Sequence, residues 1–247
     1  MKMMRFYQEL ISTNNKLAHK DSEFSLSISN WYKKNGRENL PWREDISPYR
    51  IWISEVMLQQ TQVKTVIPFF NSFISNFPDL NKLSYASEEN ILALWTGLGF
   101  YRRAKNIYKA KEVIKANFDN EFPSKFNEII SLPGIGDSTA GAIMSIAYKE
   151  PYPILDANVK RVISRYEGVV NDSSTSSIKE LWALSMKHTP LKNIFEYTQG
   201  IMDIGATICN TKTPECKICP LHRSCASAFS TIEKKIISKK INPIKYI

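Results

Sequence analysis

The stretch Leu132–Asp156, LPGIGDSTAGAIMSIAYKEPYPILD, sets the reading of everything around it. Its opening, Leu132-Pro133-Gly134-Ile135-Gly136, is a short connection whose glycines tolerate positive φ and let a backbone come close to a partner. An apolar run at helical spacing follows at once (Ala140, Ile143, Met144, Ala147), so the glycines open onto a helix N-terminus. Unpaired N–H groups and the positive end of the helix dipole make such a terminus an anion site suited to a phosphate. Phe126, Ile129 and Ile130 carry helical spacing upstream, and the whole predicts a helix–hairpin–helix. Pro151 and Pro153 end the second helix, and Asp156 stands at the N-cap of the next, Ala157–Tyr166. A tight αα turn with an ordinary capping Asp fits the same residues, so the decision rests on the rest of the chain.

The chain has 247 residues, 43% of them apolar, with 12 Phe, 11 Tyr and 5 Trp. That is enough for a sizeable core, in one large domain or two small ones, and it excludes a disordered chain. No apolar run approaches the ~20 residues that span a bilayer. The N-terminus lacks an apolar stretch with a small-residue cleavage site, so neither a membrane protein nor a secreted one is expected. A formal charge of +9 favours a polyanionic partner, although a Lys-, Asn- and Ile-rich genome would produce a similar excess.

The cysteines are confined to one loop: Cys209, Cys216, Cys219 and Cys225, spaced C-x6-C-x2-C-x5-C. Disulfides of a secreted chain would be spread more widely. A structural zinc site usually shows two separated C-x2-C pairs, whereas four thiolates in a single short loop can enclose a 4Fe–4S cluster. The spacing leaves both open and leans toward the cluster. Lys212, Lys217, His222 and Arg223 rim the loop with positive charge, as a surface meeting phosphates requires.

Periodicity elsewhere is helical, with no convincing alternating segment, and predicts an all-α fold. Expected helices are Phe24–Asn35 closed by Gly36, Tyr49–Val66, a segment from Pro68 to Ile74, Glu88–Trp95, Arg102–Asn117, Ser177–Lys187 and Leu191–Cys209. Residues 39–43 read as a loop, 1–20 as a polar lead-in and 231–247 as a lysine-rich linker. In Tyr49–Val66, Trp52, Val56, Val63 and Val66 form an apolar face, while Glu55 and Gln59 lie a turn apart on another, near Gln62. That face reads either as ordinary solvated surface or as a site. Amides can bond base edges, and Glu55 with Asp156 would supply the two carboxylates that glycosidic cleavage uses.

SEVMLQQTQV, LWTGLGFYRRAKN, LPGIGDSTAGAI, ILDANVKRV and the cysteine loop together resemble the helix–hairpin–helix DNA glycosylase superfamily, and within it the adenine DNA glycosylase family, over about residues 25–228. The resemblance implies two helical domains with the active site in the cleft between them. A six-helix barrel with the helix–hairpin–helix would span 49–152, and a 4Fe–4S domain would join 1–48 to 153–228, ahead of a basic linker-like tail, 229–247. It implies Glu55 as catalytic acid, Asp156 as the carboxylate facing the sugar cation, and Asn158 and Ser138 beside them. Leu40 and Trp42 would wall the adenine pocket, and Gln60 and Phe100 would probe or wedge the base stack. Gln59, the hairpin glycines Gly134 and Gly136, and Lys160 with Arg161 would meet DNA, and the four cysteines would hold the cluster.

The implied partner is double-stranded DNA bearing adenine opposite 8-oxoguanine or guanine, met by a monomer in a bacterial cytoplasm, at the nucleoid. Bifunctional relatives of the endonuclease III type carry at position 138 a Lys, which forms a Schiff base; Ser138 cannot, so a monofunctional enzyme is expected. Glu55 separates the chain from thymine–guanine mismatch relatives, in which that acid is generally absent. A lyase of oxidised pyrimidines would need the Lys, and a catalytically silent iron–sulfur module would lack one of the carboxylates. The chain departs from the family pattern at Phe100, where Tyr is common, and at Asp137, which sets a negative charge beside the hairpin. Its last residues fall in what resembles the linker before an 8-oxoguanine-reading domain.

Overall fold

The computed structural model describes residues 21–229, and over that span the chain is helical, without a strand. The polar lead-in 1–20 and the tail 231–247 lie outside the described residues. None of the described helices is long and apolar enough to cross a membrane.

Side-chain caps place most helix starts. Ser22 caps α1 (Glu23–Asn35) by accepting from Ser25 N–H at 3.2 Å. A short α2 (Pro41–Glu44) occupies the segment expected to be a loop, with Pro at the first turn. Ser47 caps α3 (Pro48–Leu58) in the same way as Ser22 caps α1. Two corrections follow. The helix expected over Tyr49–Val66 is broken: α3 ends at Leu58, residues 59–62 form a turn, and α4 (Val63–Asn76) begins beyond it. Pro68 does not start a helix but lies within α4. It is exposed, and the carbonyl of Lys64, four residues back, receives no N–H from it.

Then come α5 (Leu80–Ser84), α6 (Glu88–Trp95) with a Ser87–Asn90 capping box, α7 (Arg102–Asn117), α8 (Phe126–Ile129) and α9 (Asp137–Ala147). The last three are α10 (Ala157–Glu167), α11 (Thr175–His188) and α12 (Ile194–Thr207), with a 3-10 turn at Cys216–Ile218.

Two sets of helices share one continuous core. In the first, α3 packs on α4 and α9, α6 on α7, and α2 against α3 and α4. In the second, α12 packs on α1 and α10, and α10 on α11. Trp52, Phe70, Phe73 and Trp95 fill the first; Phe24, Ile28, Tyr197 and Ile201 fill the second. The contact of α9 with α12 joins the sets, and a cleft opens beside it.

Candidate active site

A cleft of about 680 Å³ is lined from α2, α3, α9, α12 and the start of α10. Glu55, Gln59, Ser138, Asp156 and Asn158 line it, with Leu40 and Trp42 as nearly buried apolar wall. Trp42 is fixed edge-to-face on Phe70, ring centroids 5.4 Å apart. The cleft thus brings together seven of the residues singled out in the sequence, from segments more than a hundred residues apart.

Glu55 sits one turn before the end of α3 and opens onto the cleft, its carboxyl group making no hydrogen bond to another described residue. Its protein surroundings push its pKa from 4.5 to about 8: burial is the main cause, the Asp156 charge adds to it, and Arg43 opposes it. Asp156 is the N-cap of α10 and accepts from Val159 N–H at 2.8 Å. Burial, the largest cause, leaves its pKa above the ordinary value, although the N–H groups of Val159 and Asn158, with Arg161 and Lys160, oppose the shift. Glu55 therefore feels the charge of Asp156, and the helix N-terminus favours that charge, so the pair keeps its proton on Glu55.

Ser138, in the first turn of α9, accepts from Leu155 N–H at 3.0 Å and so ties the strand-like approach to Asp156 onto that helix. The Gln59 amide lies 3.5 Å from Thr139 Oγ1. Asn158 Oδ1 accepts from Arg161 at 2.8 Å.

Several predicted residues stand apart from the cleft. Gln60 is the exposed tip of the 59–62 turn, at φ 58°, and Phe100 is 58% exposed at φ 51°. Gly134 has φ 84°, and a Cβ there would lie 2.7 Å from Asn106 Cβ, so the hairpin needs glycine at that point. Gly136 is the N-cap of α9, has no side-chain cap, and a Cβ there would meet no protein atom. Asp137 follows it, with Oδ1 enclosed and unpaired. Lys160 is half-buried on α10. Arg161, expected to face DNA, is turned inward: it donates to the carbonyls of Cys209 (2.7 Å) and Gly205 (2.6 Å).

The four cysteines are free thiols bordering one small cavity at the end of α12. Arg165 reaches Cys209 Sγ at 3.4 Å and the Asn210 carbonyl at 2.7 Å. Burial pushes the Cys219 thiol up to about 11, and the other cysteines add to this, so the set resists ionising together without a cation. Among the described residues no three Cys, His, Asp or Glu side chains are arranged around one ion position.

Three features escaped the sequence reading. Gln199 is 2% exposed and lines the cleft, and its side-chain amide has no hydrogen-bond partner among the described residues. Its signal was available: Gln199, Met202 and Ala206 form one stripe of α12 at i, i+3, i+7 spacing, all facing the cleft. Asp203, fully buried, binds Arg43 at 2.9 Å and Arg37 at 2.6 Å. Burial alone would raise its pKa, but Arg43 and Arg37 outweigh burial and hold the carboxyl ionised. Arg103 joins two turns by main-chain hydrogen bonds, which no local pattern announces.

Residues 53–186 match the family described as HhH-GPD superfamily base excision DNA repair protein. An adenine DNA glycosylase of Buchnera aphidicola subsp. Schizaphis graminum is 49% identical over 224 residues, 90% of this chain and 62% of that protein. The adenine DNA glycosylase of Homo sapiens is 33% identical over 225 residues, 87% of this chain and 41% of that protein. The chain thus spans about three fifths of the length of the Buchnera relatives it matches. Among solved structures, a thermostable thymine-DNA glycosylase is similar with a TM-score of 0.75 and 26% identity, over 83% of this chain and 94% of that one. Endonuclease III in a non-covalent DNA complex gives 0.69 at 21% identity, over 83% and 92%, a likeness of fold alone. With its motifs in family order and its helices in the family's arrangement, the chain belongs to the HhH-GPD superfamily of base excision DNA repair proteins.

Proposed function

We propose that this chain hydrolyses the N-glycosidic bond of adenine in double-stranded DNA, where the adenine stands opposite 8-oxoguanine or guanine, and leaves an abasic site without cutting the strand. The observation that carries this reading is the carboxyl pair in one cleft, Glu55 shifted to about 8 and Asp156 held at a helix N-terminus. The names of the relatives point the same way. Leu40 and Trp42 offer the base an apolar wall, and the unpaired Gln199 amide offers its edge a hydrogen bond.

The adenine is swung out of the stack at a cost of a few kcal/mol, less from a mispair. Glu55 gives its proton to N7, and the C1′–N9 bond breaks with its electron pair going to the base. Asp156 faces the sugar cation. Water then adds at C1′ and returns a proton to Glu55. Ser138 has no amine to trap the sugar, which fits release without strand cleavage. The exposed Gln60 and Phe100 enter the vacated stack, Gln59 lines the cleft mouth, and the Gly134–Gly136 hairpin and Lys160 meet phosphates.

Cys209, Cys216, Cys219 and Cys225 are suited to a 4Fe–4S cluster, since a cubane takes one thiolate at each iron and does not need four sulfurs to converge on one point. The cluster would pin the loop and needs no electron-transfer role in the reaction. We assign 49–152 to a barrel domain, against which α2 packs, and 1–48 with 153–228 to the cluster domain, working as a monomer on chromosomal DNA in the bacterial cytoplasm.

The test is base release from duplexes carrying adenine opposite 8-oxoguanine, adenine opposite guanine, and thymine opposite guanine. Adenine leaves the first two and thymine stays. Glu55→Gln slows release by roughly a hundredfold or more while duplex binding persists, because an amide cannot protonate N7. Release by that variant near the wild-type rate would sink the mechanism.

A further inference from the structure

The guanidinium of Arg103 is nearly buried, yet it faces no carboxylate: it is spent on main-chain carbonyls. One nitrogen, Nη1, donates to the carbonyls of Met57 at 2.6 Å and Gln59 at 2.7 Å, with Val56 at 3.2 Å. The other, Nη2, donates to the carbonyl of Gly99 at 3.1 Å, which also accepts from Trp95 Nε1 at 3.0 Å. The first group closes the C-terminal end of α3, whose last carbonyls have no helical partner. The second belongs to the turn before α7. One planar fork thus spans two turns some forty residues apart in sequence, and the rings of Trp95 and Phe100 cover it at 5.4 and 5.2 Å.

Those turns share a second property. Each carries one exposed non-glycine residue in the left-handed region, Gln60 at φ 58° and Phe100 at φ 51°. Such backbone is held only where the surroundings over-determine it. The surroundings held in common are Arg103, which fixes the Gln59 carbonyl before Gln60 and the Gly99 carbonyl before Phe100.

We propose that Arg103 is a positioning residue that sets the spacing of the Gln60 and Phe100 turns, so that the two enter DNA as one preset wedge. The inference rests on the reading of this chain as a base-opening glycosylase and adds how its opening tool is held. Arg103 acts on extrusion of the base and not on cleavage of the glycosidic bond, since it neither lines the cleft nor touches either carboxyl group. Lysine, a single point charge on a flexible stem, cannot bridge both turns as the fork does.

The experiment measures single-turnover adenine release by wild type and Arg103→Lys on two DNAs: a duplex with adenine opposite guanine, and one with adenine opposite a stable abasic analogue, where no pair resists opening. Stopped-flow fluorescence of 2-aminopurine beside the target adenine follows opening directly. Arg103→Lys is expected to slow release from the paired duplex and the opening signal by about tenfold or more, with less than threefold loss on the pre-opened DNA. Equal losses on both DNAs would mark Arg103 as general scaffolding, and no loss on either would show the turns hold themselves; each overturns the proposal. Should Arg103→Lys fail to fold, Gln60→Ala, Phe100→Ala and the double variant decide the matter in the native framework. A preset unit makes the double variant open DNA about as slowly as the worse single one, whereas multiplied defects mean two independent probes. Wild type that releases adenine from neither DNA would instead remove the functional reading on which the inference rests.

Discussion

At the scale of single residues, the site runs on the contrast between two carboxyl groups. Glu55 has a folded-state pKa of about 8 against an ordinary 4.5, so between those values the folded chain holds a proton the unfolded chain has lost. Stability from this group is therefore complete below about pH 4.5 and is lost as pH rises through about 8. Activity shares that alkaline limb. Single-turnover adenine release should fall about tenfold per pH unit above about 8, as the acid loses its proton. The melting temperature between pH 7 and 9 should drop less in Glu55→Gln than in wild type, because the amide has no charge to bury. Parallel melting curves for the two proteins would mean that the environment of Glu55 is not the source of its shift. Ser138 has a quieter part. Its hydroxyl accepts the Leu155 N–H, so Ser138→Ala leaves that amide without a protein partner and costs about 1–2 kcal/mol, readable by urea unfolding.

At the scale of elements, the active site exists because α9 and the segment leading into α10 lie almost in contact. A Cβ added at Gly141 in α9 would sit 2.3 Å from the Pro153 carbonyl oxygen, a backbone atom that cannot swing aside. Gly141→Ala should cost about 1–3 kcal/mol in unfolding and slow base release through displacement of Asp156. Unchanged unfolding would show that the segment slides freely over α9. Much of this was legible in the sequence, for a local reason: helix ends are written in caps. Asp156 was identified as an N-cap from its place after Pro151 and Pro153, and it is one. The periodic run of α7 keeps its expected face, with Ile107, Ala110 and Ile114 buried and Val113 half-buried beside them, whereas α9 is buried all round from Ala140 to Ile146. The break at 59–62 was not legible, because QQTQ holds neither Gly nor Pro, and the group that stabilises it is Arg103, 44 residues from Gln59. The Arg37–Asp203–Arg43 set was missed for the same cause, since pairings made across the fold leave no spacing to count, whereas Gln199 lay on a countable stripe of α12 with Met202 and Ala206. Pro68 misled because proline is commonest in the first turn of a helix, whereas this helix has already begun at Val63.

At the scale of the whole molecule, α10 is the link between chemistry and scaffold. Its first residue follows Asp156, while Arg161 and Arg165 further along it grip Cys209, Gly205 and Asn210 at the end of α12. The loop beyond, Cys209 to Phe229, contributes little to the core: Leu221 is its one buried apolar side chain, with Cys209 and Cys219 half-buried beside the core, and Lys212, Lys217 and Arg223 are exposed. Apolar burial of that extent cannot fix some twenty residues against their conformational entropy, about 1–2 kcal/mol each for backbone alone. Ligation by the four thiols can, since a metal bound only in the folded state adds its binding free energy to stability. Purified protein is therefore expected to be brown, with about four irons per chain. Removing the iron by oxidation and chelation should lower the melting temperature and open the chain first to proteolysis within 210–224, ahead of any cut in α3 or α9. Base release should fall with it, because Arg161 and Arg165 lose their carbonyl anchors and the start of α10, with Asp156 and Asn158, loses its support. A colourless protein with one tightly bound zinc would overturn the cluster assignment, and an iron-free protein that keeps its melting point and its protease pattern would show that packing alone holds the loop.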